Sequence, residues 1–225
     1  MSGPQTFDDW PEKYEQWFTT PMGRLIRKFE GDLILDLLQP STGDRVLDAG
    51  CGTGIFTLDL LQARAKVTGM DLSLPMLKRA KVKFSDRPFR PVLSDIRRLP
   101  FRDGIFDKTV SVTALEFVED ARAGVDELFR VTRSGGIIVA ATLNRLSPWA
   151  QRRTEAGKKG HPIFKNVYFR SPDELLALAP VPGRAQTAIH FLKDDEPGRA
   201  SALEDKGRSA DLDTGAFLAA VWKKP

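Results

Sequence analysis

Val46-Leu47-Asp48-Ala49-Gly50-Cys51-Gly52-Thr53-Gly54 is the stretch on which the reading of this 225-residue chain turns. A short apolar run enters it, and three glycines carry the backbone into the amphipathic segment Ile55 to Leu61. A glycine loop between a strand and a helix lets the backbone approach a ligand closely and aims free helix N–H groups at it. Alone, such a loop is weak evidence, because dinucleotide-binding sheets use a similar one.

The pattern continues on both sides. Lys66–Met70, Pro91–Ser94, Lys108–Val112 and Gly136–Ala141 are further strand-like runs, with helical patterns at Leu74–Phe84 and Ala121–Val131 between them. This alternation predicts βαβ units and an α/β, Rossmann-like, doubly wound sheet, mainly parallel and covered on both faces. Ser171-Pro172-Asp173-Glu174 reads as the capping box of a later helix. Ala185–Leu192 and Gly215–Trp222 are two final strand-like runs with no long helical pattern between them, so they read as an antiparallel pair. The polar stretch from 193 to 214 reads as a long loop, mobile or with a helical turn near Ala202. Before the sheet, Phe7, Trp10, Tyr14, Trp17 and Phe18 follow helical spacing, and Thr20-Pro21 opens a second helix with the stripe Leu25, Ile26, Phe29, Leu33 and Leu37.

Three carboxylates sharpen the reading. Asp48, Asp71 and Asp95 fall at the ends of the first, second and third strands, 23 and 24 residues apart. Ligands of doubly wound sheets lie beyond the carboxyl ends of the strands, so all three acids border one crevice. An acid after the second strand suits a ribose diol, and Asp95 suits an adenine amine. Asp48 is unhelpful beside a pyrophosphate but suits a ligand that carries an ammonium and a sulfonium.

Composition bounds the rest. With 41% hydrophobic and 28% charged residues the chain reads as one globular domain. No apolar run approaches the ~20 residues of a membrane span, and no basic-then-apolar leader is evident at the N-terminus. The single cysteine, Cys51, excludes an internal disulfide and a cysteine-built zinc site, and no other metal site is legible. A cytoplasmic setting is the expectation. The net charge is +4, yet Arg145 to Arg170 holds seven basic residues against one acid, Glu155, so the remainder is net acidic. A long phosphate backbone would be repelled by that remainder, which makes nucleic acid an unfavoured partner.

These residues resemble class I S-adenosylmethionine-dependent methyltransferases, most nearly the group typified by ubiquinone- and menaquinone-biosynthesis enzymes. The resemblance rests on Val46 to Gly54, Gly69 to Leu77, Ser94-Asp95-Ile96 with Leu99-Pro100-Phe101 through Phe106-Asp107, and Arg130-Val131 through Gly135-Gly136. It implies a seven-stranded sheet with the last strand antiparallel, and S-adenosylmethionine as cofactor with S-adenosylhomocysteine as product. The division expected is N-terminal helices or lid at 1–40, cofactor core at 41–142, basic insert and helix at 143–182, and C-terminal strand pair at 183–225. The cofactor residues expected are Asp48, Gly50, Cys51, Gly52, Thr53, Asp71, Leu72, Met76, Asp95, Ile96, Thr113 and Phe117, with Tyr14 and Trp17 touching cofactor or substrate. Ser134 departs from the proline usual in the family. Phe117 stands where many relatives have histidine, so no base is expected there.

For catalysis, Glu116 just past the fourth strand and His161 in the basic insert are the candidate bases. Cys51, inside the glycine loop, reads as a small residue and not as a nucleophile. No Asn/Asp-Pro-Pro-aromatic stretch follows the fourth strand and no proline–cysteine pair exists, which argues against nucleobase methylation. The expected acceptor is a small molecule, partly apolar and anionic, facing the insert's aromatic and basic residues. Two other readings stay open here: a nicotinamide-dependent oxidoreductase, and a non-catalytic S-adenosylmethionine-binding regulator. The oligomeric state is not legible.

Overall fold

In β1 (Arg45–Ala49), Val46 and Leu47 point to opposite faces of the sheet and both are fully buried. That double burial is what a parallel strand needs, with helices on either side. The computed structural model describes residues 7–225; the first six, part of the expected N-terminal segment, lie outside the described residues. Seven strands form one sheet in the order β3-β2-β1-β4-β5-β7-β6. β2 (Lys66–Asp71), β3 (Phe89–Leu93), β4 (Phe106–Val112) and β5 (Thr132–Leu143) extend it in parallel, and β7 (Phe217–Lys223) runs antiparallel to both β5 and β6 (Arg184–Ala188). The order reverses between β1 and β4, the crevice position of an open α/β sheet.

One face is covered by α2 (Pro21–Leu38) and α3 (Thr57–Gln62), whose Phe29, Leu33, Leu37 and Leu60 pack with Val46, Val139 and Ala141. The other carries α5 (Ala121–Val131), where Val125 and Leu128 meet Leu47, Ile138 and Ala140. Local chemistry set several ends as read from sequence. Thr20 caps α2 by accepting from the Gly23 N–H at 3.0 Å, and Ser171 with Glu174 forms the capping box of α7 (Pro172–Leu176). α1 (Pro11–Trp17) is shorter than the aromatic repeat suggests, with Trp10 at its N-cap and Phe7 before it. α4 (Leu74–Lys83) holds α1 through Arg79 and Lys83, both paired with Glu15.

The C-terminal third differs from the sequence reading in three places. β6 stops at Ala188, because Ile189 adopts φ +67°, a left-handed conformation in which a β-branched residue cannot continue a ladder. His190 therefore lies past the strand and not within it. The expected 193–214 loop contains a full helix, α8 (Pro197–Ser209). Its buried positions are Ala200, Glu204 and Gly207, two small residues and an acid, so no apolar stripe announces it. Gly207 lets the helix lie on the His190 ring, and Glu204 accepts the His190 N–H at 2.8 Å. The basic insert likewise begins with a helix, α6 (Pro148–Lys158), capped by Ser147. Among the described residues, no helix is long and apolar enough to cross a membrane.

Candidate active site

The glycine loop turns through three left-handed residues, Gly50 (φ +83°), Gly52 (φ +54°) and Gly54 (φ +81°). A side chain is doubly excluded at Gly50, where a Cβ would lie 2.3 Å from the Ala114 Cβ. At Gly52 nothing lies within 4 Å of that position, so its open side faces the crevice. Asp71, at the tip of β2, ties the loop down: its carboxylate accepts from the Gly52 N–H at 2.8 Å and the Ser73 N–H at 2.9 Å. Burial raises its pKa, against the pull of those N–H groups. Each oxygen keeps a lone pair for a further donor.

Asp48 is buried and its carboxylate accepts from the Thr57 hydroxyl at 2.6 Å. Burial, reinforced by the neighbouring Asp71 charge, pushes it up to about 7. Asp95 behaves in the opposite way, since the Arg97 guanidinium grips both oxygens and holds it below the usual carboxylate range. Thr113, at the end of β4, has φ +48°. A strained non-glycine residue at a sheet switch point belongs among functional-site features.

A cavity of about 730 Å³ opens from this loop. Its wall includes every expected cofactor residue except Thr53: Asp48, Gly50, Cys51, Gly52, Asp71, Leu72, Met76, Asp95, Ile96, Thr113 and Phe117, with Tyr14 and Trp17. Thr53 is fully buried behind the loop, where its carbonyl accepts from the Lys83 ammonium at 2.8 Å. Phe7, Trp10 and Phe18 also line the cavity, so the whole aromatic series faces it. Phe7 closes edge-on against Phe117 at 4.8 Å, and Tyr14 against Phe18 at 5.3 Å.

Cys51 packs into the core, with its sulfur close to where a Gly69 Cβ would stand. Burial and the two nearby aspartates push its thiol well above the ordinary value, the opposite of an activated thiolate. Cys51→Ala is therefore expected to keep cofactor affinity within about threefold, well under the 1.4 kcal/mol that a tenfold change represents. Titration calorimetry with S-adenosylhomocysteine checks this, and a loss beyond tenfold would give the sulfur a role that its packing does not.

Beyond Thr113 the cavity becomes acidic and basic at once. Glu116 is fully buried; its Oε2 accepts from the Thr142 hydroxyl at 3.3 Å while its Oε1 has no partner. Glu30 reaches the same wall from α2, and Arg153 from α6. The Arg153 guanidinium lies 5.1 Å from the centre of the Trp149 ring and 5.9 Å from that of Phe164, with one terminal nitrogen unpartnered. Of the insert's other basic residues, Arg145 pairs with Glu174, Arg152 pairs at the cavity rim with Asp194, and Arg170 is spent on the Leu115 and Tyr168 carbonyls. Lys158, Lys159 and Lys165 are exposed. His161 does line the cavity, stacked on Phe164 at 4.6 Å.

Sequence reasoning missed Glu30 and did not separate Arg153 from its neighbours. A signal for Glu30 existed: it sits four residues from both Ile26 and Ile34, an acid on the buried stripe of α2. Arg153 stands four residues after Trp149, the spacing at which helix side chains meet.

Comparison with known proteins agrees with this geometry. A family model described as "Methyltransferase domain" matches residues 47–140. The chain is 28% identical over 209 residues to a malonyl-[acyl-carrier protein] O-methyltransferase of Serratia marcescens, covering 83% of this chain and 79% of that one. It is 37% identical over 147 residues to a demethylmenaquinone methyltransferase of Beutenbergia cavernae, covering 64% and 58%. A solved Thermotoga maritima structure, described as a SAM-dependent methyltransferase and possible histamine N-methyltransferase, superposes with a TM-score of 0.76 at 22% identity, over 98% of this chain and 99% of that one. Sheet order, glycine loop and acid ladder are thus those of an S-adenosylmethionine-dependent methyltransferase fold, and the relatives it matches are named methyltransferases. The family model's match covers the strands and helices from β1 into β5, the part of the chain that carries the glycine loop.

Proposed function

We propose that this enzyme methylates a small, partly apolar acceptor that carries an anionic group, by direct in-line displacement. Gly50 and Gly52 would cradle the amino-acid part of the cofactor, Asp71 the ribose and Asp95 the adenine edge. The open side of Gly52 and the spare lone pairs of Asp71 support that placement. Asp48, poised near neutrality by burial, would regain its charge beside an ammonium group. When bound, S-adenosylmethionine supplies a methyl group already activated by its sulfonium. The chain's task is alignment and exclusion of water, and well-oriented reactants gain effective molarities of ~10⁵–10⁸ M.

One observation carries the acceptor class. The Arg153 guanidinium lies over the Trp149 and Phe164 rings at the cavity wall with one terminal nitrogen unpartnered, a donor for a carboxylate or phosphate. Screening the protein with methyl-labelled cofactor against hydroxy and amino acids, their esters and neutral analogues tests it. Arg153→Met is expected to raise the KM of active anionic acceptors by at least tenfold, the ~1.5–3 kcal/mol of a charge-assisted bond, and leave S-adenosylhomocysteine affinity unchanged. Arg152→Met, at the rim and paired outward, is expected to change KM less than threefold, in line with the ~0–1 kcal/mol of an exposed pair. Equal handling of every active acceptor by Arg153→Met and the parent would overturn the reading.

A further inference from the structure

We infer that Glu30 and Glu116 act together as the proton acceptor of the transfer, so that the acceptor's reacting atom is an oxygen or nitrogen that still carries a proton. The inference rests on the methyl-transfer reading and adds to it the chemistry of the nucleophile.

The two carboxylates come from distant elements, α2 and the short 3-10 turn Leu115–Phe117 after β4, and line one cavity. Each is buried within the field of the other. Around Glu30 stand Arg153, Arg27 and Tyr14; around Glu116 stand Thr142, Arg170, Arg153 and Tyr14. His161, Arg152 and Lys193 face the same cavity. Few of these groups are available as counter-charges. Arg27 is bound to Asp59 at 2.6 Å and to the Ile55 carbonyl, and Arg170 to two carbonyls. Among the described residues Arg153 has no ion-pair partner, and it acts on both acids, while the Lys193 ammonium lies over the Trp17 ring.

Two like charges in one desolvated space do not both ionise near neutrality. Burial pushes Glu30 up to about 8, and pushes Glu116 up to about 7 against the pull of its own backbone N–H and the Thr142 hydroxyl. Near pH 7 the pair therefore holds about one proton, and its steps belong to the pair and not to either residue. An anionic group arriving at Arg153 draws that guanidinium's charge away from the two acids, which strengthens the ionised carboxylate as a base when the acceptor is in place.

A carboxylate oxygen or a thioether needs no such group, because it has no proton to lose. A hydroxyl or amine does. As the bond from that oxygen or nitrogen to the methyl carbon forms and the carbon–sulfur bond breaks, its proton passes to the free carboxylate, and the sulfur keeps the electron pair. Tyr14 does not compete as base, since burial, with Glu30 beside it, pushes its phenol still higher.

The sign of the linkage gives a test independent of turnover. A carboxyl whose folded pKa is raised contributes stability that is present below its unfolded value and lost as pH rises through the folded one. Glu30→Gln should therefore gain melting temperature over the parent progressively between pH 5 and pH 9, with little difference at pH 5. The Glu116→Gln gain should be sub-additive with it. Should neither variant fold, carbon-13 titration of glutamate carboxyl groups in the unmodified protein should show at least two midpoints above pH 6. With an active acceptor, Glu30→Gln is expected to lower kcat at least tenfold and shift the acidic limb of the pH profile, with acceptor KM and S-adenosylhomocysteine Kd within threefold. A pH-independent melting offset, or no raised carboxyl midpoints, overturns the pair. If only thioether or carboxylate acceptors are methylated, the proton-acceptor role is overturned while the methyltransferase reading and the Arg153 effect stand.

Discussion

Gly50→Ala is expected to reduce S-adenosylhomocysteine affinity by a hundredfold or more while leaving the sheet folded. The added methyl group would stand 2.3 Å from the Ala114 Cβ, at a residue with φ +83°. Left-handed backbone costs a non-glycine residue ~1–2 kcal/mol, and overpacking adds ~1–3 kcal/mol. The loop can relieve both only by lifting away from Ala114, which abandons the geometry at Gly52 and its bond to Asp71. At 1.4 kcal/mol per decade, the middle of the summed range, ~3.5 kcal/mol, is roughly three hundredfold. Calorimetry measures the affinity, and far-ultraviolet circular dichroism shows whether the sheet survives. Parent-like affinity would mean that the loop is not the cofactor cradle.

Asp71→Ala is the second large effect. It removes the acceptors of the Gly52 and Ser73 N–H groups and the carboxylate facing the crevice. A charge-assisted hydrogen bond contributes ~1.5–3 kcal/mol, so affinity for S-adenosylhomocysteine should fall by roughly tenfold to a hundredfold. The parent's melting temperature should rise with this ligand, by the equivalent of ~2.7 kcal/mol at a hundred times Kd, and the rise should shrink in the variant at the same concentration to the equivalent of ~0.4–1.4 kcal/mol. NAD should shift neither protein, since the buried Asp48 opposes a pyrophosphate at the loop. A preference for NAD would return the oxidoreductase reading to consideration.

The glycine-loop half of the cavity was legible because each of its parts is a local demand on the chain. A strand that ends in a left-handed turn requires glycine, and an acid after each strand reaches the crevice wherever the helices fall. That is why Asp48, Asp71 and Asp95 could be placed from spacing alone, and why α5 begins and ends at Ala121 and Val131 as its apolar repeat suggests. α8 was legible only as a turn near Ala202, because it docks through Ala200, Glu204 and Gly207, and small residues leave no periodic signal. Its seat is made by the His190 ring, itself placed by the left-handed Ile189.

The sequence by itself therefore determined the strand-loop-helix unit, the acid ladder, the sheet class and the cofactor. Tertiary structure decided which groups meet at the other end of the cavity, adding Glu30 and Arg153 to the Tyr14 and Glu116 that the sequence offered. Tyr14, Glu30, Glu116 and Arg153 come from three helices and a turn, and none of those elements needs the others for its own geometry. On an isolated amphipathic helix Glu30 would be one misplaced acid, and Arg153 one of seven basic residues in the insert. Packing α1, α2 and α6 over the β4 end buries these groups together. Removal of water then raises the Glu30 and Glu116 carboxyls toward neutrality.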